Sequence, residues 1–227
     1  MIHVRTRIER PSKEIIEAYR AIPSATIHEA GGRKGFIDPA IKPIARGMRI
    51  AGPAFTVLCA PGDNLMLHKA LEKAKPGDII VASVGGGYEY GYFGGLMAVS
   101  AMARKVGGLA IDGCIRDSEE IINMGFSIFS RGLAIRGTVK NTLGLVNYPI
   151  VFGGLMINPG DIIVGDDDGM VAVALKDAAD ILDKSIKRTE NEIQKAKVLE
   201  TGITSVQNNK LEQVFESLGL MEEEDED

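Results

Sequence analysis

Twice in this chain a Pro-Gly-Asp turn leads straight into an Ile-Ile-Val run, at residues 76–81 and 159–164. Proline and glycine stop whatever element precedes them. A short unbroken run of β-branched residues then needs cover on both faces, as in the strands of an α/β sheet. The rest of the chain keeps the same rhythm. Further strand-like runs occupy 49–58 (RIAGPAFTVL), 79–84, 108–111, 126–130, 150–152, 161–164 and 170–174. Between them lie stretches with helical spacing: 13–20, opened by Pro11-Ser12 and marked by Ile15, Ile16 and Tyr19, then 63–73, 96–105 and 117–124. Thr26-Ile27-His28-Glu29 has the form of a capping box. From 176 to about 200 runs a long polar helix, with Ile181, Leu182, Ile186 and Ile193 on one stripe. The expected fold is α/β: a single mixed α/β domain of layered sheets and helices, with a long C-terminal helix. The repeated turn reads as convergent turn chemistry, not internal duplication. The domain is expected to cover 1–220, with 221–227 (MEEEDED) a self-repelling acidic tail.

Charge and composition narrow the function. A net charge of −5 leaves no basic face to neutralise phosphates, which argues against a nucleic-acid partner. No apolar run approaches the roughly 18–20 residues that span a bilayer, so no membrane role is expected. The charged start, MIHVRTRIER, lacks the apolar core of a secretory signal. Cys59 and Cys114 are far apart, with no CxxC spacing, and read as reduced residues. The expected location is the cytoplasm.

Three histidines, at 3, 28 and 68, are too scattered for a histidine metal site. HExxH, GxSxG and phosphate-loop patterns are absent, and Gly85-Gly86-Gly87 does not complete a dinucleotide fingerprint. The informative segment is 111–117, IDGCIRD. There a buried strand ends and an Arg-Asp pair stands where a helix begins, and functional groups of α/β proteins gather at the carboxyl ends of strands. Arg116 offers a planar fork for a carboxylate, and Asp117 a hard oxygen for Mg²⁺ or Mn²⁺. Taken alone, the pair also fits an ordinary helix N-cap beside a surface arginine. The loop ending in Gly94-Gly95 feeds another helix, whose Leu96 and Met97 amides suit an anion. Pro61-Gly62-Asp63-Asn64 opens a third helix in the same style. Tyr88, Tyr90 and Tyr92 alternate along the glycine loop, either lining a pocket or packing the loop.

Gly95, twenty further residues, Arg116-Asp117 and then Glu120 together resemble the signature of the metal-dependent pyruvate aldolases. That family includes 4-hydroxy-4-methyl-2-oxoglutarate and 4-carboxy-4-hydroxy-2-oxoadipate aldolases and the regulator of ribonuclease activity A. Segments 61–70 (PGDNLMLHKA), 75–84 (KPGDIIVASV), 108–117 (GLAIDGCIRD), 136–144 (RGTVKNTLG) and 158–169 (NPGDIIVGDDDG) resemble the aldolase branch. The likeness runs over about residues 24–200. It implies a lyase acting on short 2-oxo acids through a pyruvate enolate, by aldol cleavage or oxaloacetate decarboxylation. It also implies a trimer or hexamer with sites between subunits. In this picture Asp117 ligates Mg²⁺ or Mn²⁺, Arg116 clamps the pyruvyl oxygens, and Gly94, Gly95 and the amides of Leu96 and Met97 receive the carboxylate. Glu192 of a neighbouring subunit, or else Glu190, contacts the metal through water. The regulator branch implies the alternative, a non-catalytic protein that binds a ribonuclease. At Gly95 the chain departs from the aldolases, which place an acid–base Asp there. Glu89, Glu120 or the substrate itself are the candidates to compensate. A metal-free route would use a Schiff-base lysine, with Lys69, Lys73 and Lys140 as candidates.

Overall fold

The computed structural model describes residues 2–223. They form two compact units, one up to Ser185 and one from Ile186 onward. The first contains every strand. Ser12 caps α1 (Lys13–Arg20), its hydroxyl accepting from the Ile15 amide, and Ile16 and Tyr19 are buried as their spacing requires. The 26–29 quartet is no capping box. It lies inside α2 (Ser24–Ala30), with Thr26 and Ile27 buried. The cap of α2 comes from far along the chain: Asp166 accepts from the Ser24 amide at 2.7 Å and from its hydroxyl at 2.6 Å.

The strands and helices then alternate: β1 (Lys42–Pro43), β2 (Ile50–Leu58), α3 (Leu65–Lys73), β3 (Ile79–Ser83), α4 (Gly95–Ala103), β4 (Gly108–Ile115), α5 (Ser118–Met124) and β5 (Ile128–Leu133). After these come β6 (Leu145–Val146), a hairpin of β7 (Ile150–Phe152) and β8 (Leu155–Ile157), then β9 (Ile162–Asp166) and β10 (Gly169–Val173). The main sheet has the order β1-β5-β4-β3-β2-β9-β10, with β6 also on β2. Strands β2 to β5 run parallel, each joined to the next by a helix. β2 is long enough to serve two neighbours on one edge, β9 along its first half and β6 at its end.

Side chains alternate across the sheet, so each buried strand feeds two cores. Phe55, Val57, Ile80, Ala82, Leu109 and Ile111 pack under α3, α4 and α5. Ala54, Ile79, Val81, Ala110 and Phe129 face the other way, toward Ile41, Phe152 and Ile163. β4 runs to Ile115, beyond the expected stop at 111, because its polar Asp112 is satisfied within the fold. The Asp112 carboxylate pairs with Arg131 and accepts from the Gly153 amide at 3.0 Å.

The long helix is α6 (Ala178–Leu199), and the division between units falls within it. Beyond it the second unit adds α7 (Ser205–Asn209), started by a Thr204/Gln207 capping box, and α8 (Glu212–Leu218). Among the described residues no helix is long and apolar enough to cross a membrane. Most of the expected acidic tail, 224–227, lies outside the described residues.

Candidate functional site

Four segments follow the carboxyl ends of the four parallel strands, and they converge. Asn64 and His68 come after β2, the loop through Gly91 to Met97 after β3, Arg116-Asp117 after β4, and 137–140 after β5. They line one cavity of about 270 Å³, where the rule for open α/β sheets places a ligand. A larger cavity, about 550 Å³, lies near the start of α6, but several of its polar groups are engaged with their neighbours. There Lys184 pairs with Asp180 at 2.7 Å, and Asp161 accepts the Asn158 and Leu175 amides. We therefore take the smaller cavity as the site.

The glycine loop is fastened by main chain. The Gly91 amide donates to Arg136 O, Tyr92 N to Cys114 O, and Arg116 N to Phe93 O, all within 2.8–3.0 Å. Tyr92 is fully buried; its hydroxyl donates to Gly87 O and accepts the Gly62 amide. Tyr88 lies under the Arg131 guanidinium, and Tyr90 under that of Arg136. The alternating tyrosines are thus loop anchors, and only Tyr92 also borders the cavity.

Asp117 has φ 57° and ψ 36°, a left-handed conformation that a residue with a Cβ rarely adopts. It stands at the N-cap of α5 yet caps nothing there. Its carboxylate turns across to α4, accepting the Gly95 amide on Oδ2 at 3.0 Å, with the Nε of Arg116 3.6 Å from the same oxygen. Gly94 makes room for this: a Cβ there would lie 2.5 Å from Asp117 Oδ2. Oδ1 of Asp117 has no protein partner among the described residues. Of the two amides expected to hold an anion, only that of Leu96 lacks an acceptor. The Met97 amide donates to Gly94 O at 3.0 Å, a tightening of the first helical turn.

Among the described residues no three His, Cys, Asp or Glu side chains gather closely enough to encage a metal. One open carboxylate with solvent around it suits Mg²⁺ or Mn²⁺, which keep several waters, better than a metal needing a protein cage. Glu192 sits on α6 in an ion pair with Arg188 at 2.8 Å, and Glu190 is exposed on the same helix. Glu89 pairs with Arg136 at 3.6 Å. Lys69 and Lys73 both bind Glu72 and lie outside the cavity, whereas Lys140 borders it.

Two cavity residues escaped the sequence reading. His68 projects from α3, and burial, then the charge of Lys140, lowers its pKa. Asn64 donates to Tyr92 O at 2.8 Å, while its Oδ1 is buried without a partner. The sequence signal for both was their place one and five residues after the Pro-Gly-Asp turn at 61–63.

A family model described as Aldolase/RraA matches residues 13–172. The chain belongs to the Aldolase/RraA family. A relative from Halalkalibacterium halodurans, named "Putative 4-hydroxy-4-methyl-2-oxoglutarate aldolase", is 32% identical over 85% of this chain and 92% of its own length. Among solved structures, an uncharacterized protein from Pseudomonas syringae pv. tomato superposes with a TM-score of 0.82 at 27% identity, covering 90% of this chain and 96% of its own. Streptomyces coelicolor RraAS2, described as an unusual member of the RNase ES inhibitor RraA family, superposes at 0.74 and 28% identity, covering 82% and 97%. The mixed α/β fold expected from the sequence is that of this family.

Proposed function

We propose that this chain is a divalent-metal-dependent carbon–carbon lyase of short 2-oxo acids, working as a trimer or hexamer. The observation that carries the reading is Asp117. Its backbone is held in a disfavoured conformation and its carboxylate is withdrawn from its own helix, beside Arg116 in a cavity at the sheet's carboxyl edge. Local strain of this kind concentrates at functional sites. Relatives named as aldolases support the same reaction class.

The chemistry follows from a 2-oxo acid. Breaking the bond between C3 and C4 leaves an electron pair that must delocalise into the C2 carbonyl as an enolate. Arg116 would hold the carboxylate and carbonyl oxygens coplanar, favouring that delocalisation, and the Leu96 amide would take a carboxylate oxygen. Asp117 would hold Mg²⁺ or Mn²⁺, which supplies Lewis acidity toward the same oxygens. Gly94 keeps the ring of donors open to a planar ligand. In an assembly, Glu192 of a neighbouring copy would have to leave Arg188 to approach this site.

The test is pyruvate release from oxaloacetate and from 4-hydroxy-4-methyl-2-oxoglutarate, with Mg²⁺ or Mn²⁺ and again with chelator. Chelator-sensitive turnover is expected, and no turnover of either substrate would overturn the proposal. A second reading, a non-catalytic regulator of a ribonuclease, draws support from the likeness to RraAS2. It predicts ribonuclease inhibition that survives loss of Asp117.

A further inference from the structure

β4 does not stay in step with β5. Up to Ile111 the partners are regular: Leu109 with Ile128, Ala110 with Phe129, Ile111 with Ser130. They resume only at Cys114 with Gly132 and Ile115 with Leu133. Asp112 and Gly113 therefore stand against the single residue Arg131, the two-to-one count of a β-bulge. At the bulge β4 also changes its other neighbour. β3 accompanies it as far as the pair Ser83–Asp112, and the glycine loop takes over at the bridge from Gly91 to Cys114. The Tyr92 amide then donates to Cys114 O and the Arg116 amide to Phe93 O. Gly113 has to be bare, because a Cβ there would lie 2.9 Å from Cγ2 of the buried Val84. Asp112 belongs to a closed ring. Its carboxylate accepts from Nε of Arg131 and from the Gly153 amide at 3.0 Å, and the Gly153 carbonyl accepts the Asp38 amide at 3.0 Å. The Asp38 carboxylate closes the ring on Nη2 of Arg131 at 2.9 Å. One guanidinium thus spans two carboxylates from separate segments, which a planar fork can do and a point-charge ammonium cannot.

We infer that Arg131 is a positioning residue for the site: by clasping Asp112 it fixes the bulge, and the bulge sets where Arg116 and Asp117 stand. Arg131 does not itself border the site cavity, so it acts only through β4. The effect on turnover rests on the reaction proposed above, whereas the effect on structure rests on sheet register alone. Without the extra residue Gly113 would face Gly132, and everything after it would slide one place along β5, about 3.3 Å. Arg116 would then lose Phe93 O as the acceptor of its amide, and the Asp117 carboxylate would leave the Gly95 amide. A displacement of about 1 Å at a reacting centre already costs about 10²-fold in rate. Bulges recur beside active sites because they re-aim the side chains that follow.

The experiment compares Arg131→Lys with Arg10→Lys. Arg10 also uses Nε and Nη2, at 2.7 and 2.8 Å, but on Asp78 at the amino end of β3, away from the site. Both variants keep the charge and lose the fork, so both should lower Tm. Only Arg131→Lys should also cut kcat/KM, by about 10²-fold. Hydrogen exchange read by mass spectrometry in chelator gives a second measure that needs neither metal nor turnover. Segments 91–97 and 112–117 should exchange at least about tenfold faster in Arg131→Lys and not in Arg10→Lys. Asp112→Asn should match Arg131→Lys, and the double variant should be little worse than either, because the two act through one clasp. Should Arg131→Lys not fold, Asp38→Asn carries the test: it loosens only the more exposed half of the ring, and exchange over 112–117 should rise with little change in Tm. The inference is overturned by an active wild type whose Arg131→Lys variant keeps its kcat/KM, by equal losses of activity in the two lysine variants, or by unchanged exchange in Arg131→Lys and Asp38→Asn. A wild-type protein inactive on both substrates would instead overturn the proposed function, and the exchange measurements would still decide whether Arg131 holds the end of β4.

Discussion

Asp117 joins two costs at one position. A left-handed backbone costs an L-residue roughly 1–2 kcal/mol, and an N-cap acid that does not bond its own helix forgoes its usual benefit. Three substitutions separate these contributions. Asp117→Asn keeps an oxygen for the Gly95 amide, so Tm should hardly move while metal-dependent turnover is lost; an Asn variant with full activity would remove Asp117 from the reaction. Asp117→Ala removes the acceptor of the Gly95 amide and should lose about 0.5–1.5 kcal/mol, and Asp117→Gly about 1 kcal/mol less than Ala because glycine accepts the φ of 57°. Urea unfolding of the two reads this difference, and equal losses would mean the conformation relaxes. His68 offers a pH-dependent prediction. Its folded pKa is depressed, first by burial and then by Lys140. The unfolded chain therefore takes up that proton first, so stability is intact above the ordinary imidazole range and declines as pH falls through it. His68→Gln should flatten that part of the profile. Lys140→Met should move the His68 titration upward by NMR, and an unmoved titration would deny their proximity.

At the scale of elements, the two Pro-Gly-Asp turns that open Ile-Ile-Val strands are one device used twice. Gly77 and Gly160 both have positive φ, and each aspartate accepts the amide three residues before it, Lys75 for Asp78 and Asn158 for Asp161. They differ in their second partner. Asp78 is fully buried and bound by both arms of Arg10 at 2.7 and 2.8 Å, while Asp161 takes only the Leu175 amide. Asp78→Asn leaves the half-buried Arg10 guanidinium uncompensated and should cost about 3 kcal/mol, the low end for breaking a buried pair; Asp161→Asn should cost about 1–2 kcal/mol. Equal midpoints in urea would show that Arg10 adds nothing. The turns, the strands they open and helices α1, α3, α4 and α5 were legible because periodicity and turn residues are local. What was not legible depended on distant partners. The cap of α2 sits on β9 at Asp166, and β4 passes through Asp112 only because Arg131 and Gly153 meet it there.

For the whole molecule, α6 is longer than its buried stripe explains: Ser185 is buried, but Ile186 and Ile193 are exposed. α4 also presents Leu96, Val99 and Met102 to solvent. Apolar surface of this kind marks a contact face, and sedimentation at micromolar concentration should show a trimer or hexamer; a monomer would sink the assembly and with it the role given to Glu192. The Arg116-Asp117 pair was readable from its position at a strand end, and Glu120 only from the resemblance to the aldolase signature. That the Glu120 carboxyl would lie beside Gly95, and that Asn64 and His68 would join the site, needed the sheet to bring α3, α4 and α5 together. The loop over that sheet edge is pinned by its backbone, through Gly91, Tyr92 and Phe93, as well as by its tyrosine side chains. Such a loop separates two kinds of change during divergence. Residues 88 to 90 lie against Arg131 and Arg136, outside the cavity lining, so the outer face of the loop can drift while the peptide frame beside Arg116 and Asp117 stays in register. The two faces of one loop can therefore age at different rates.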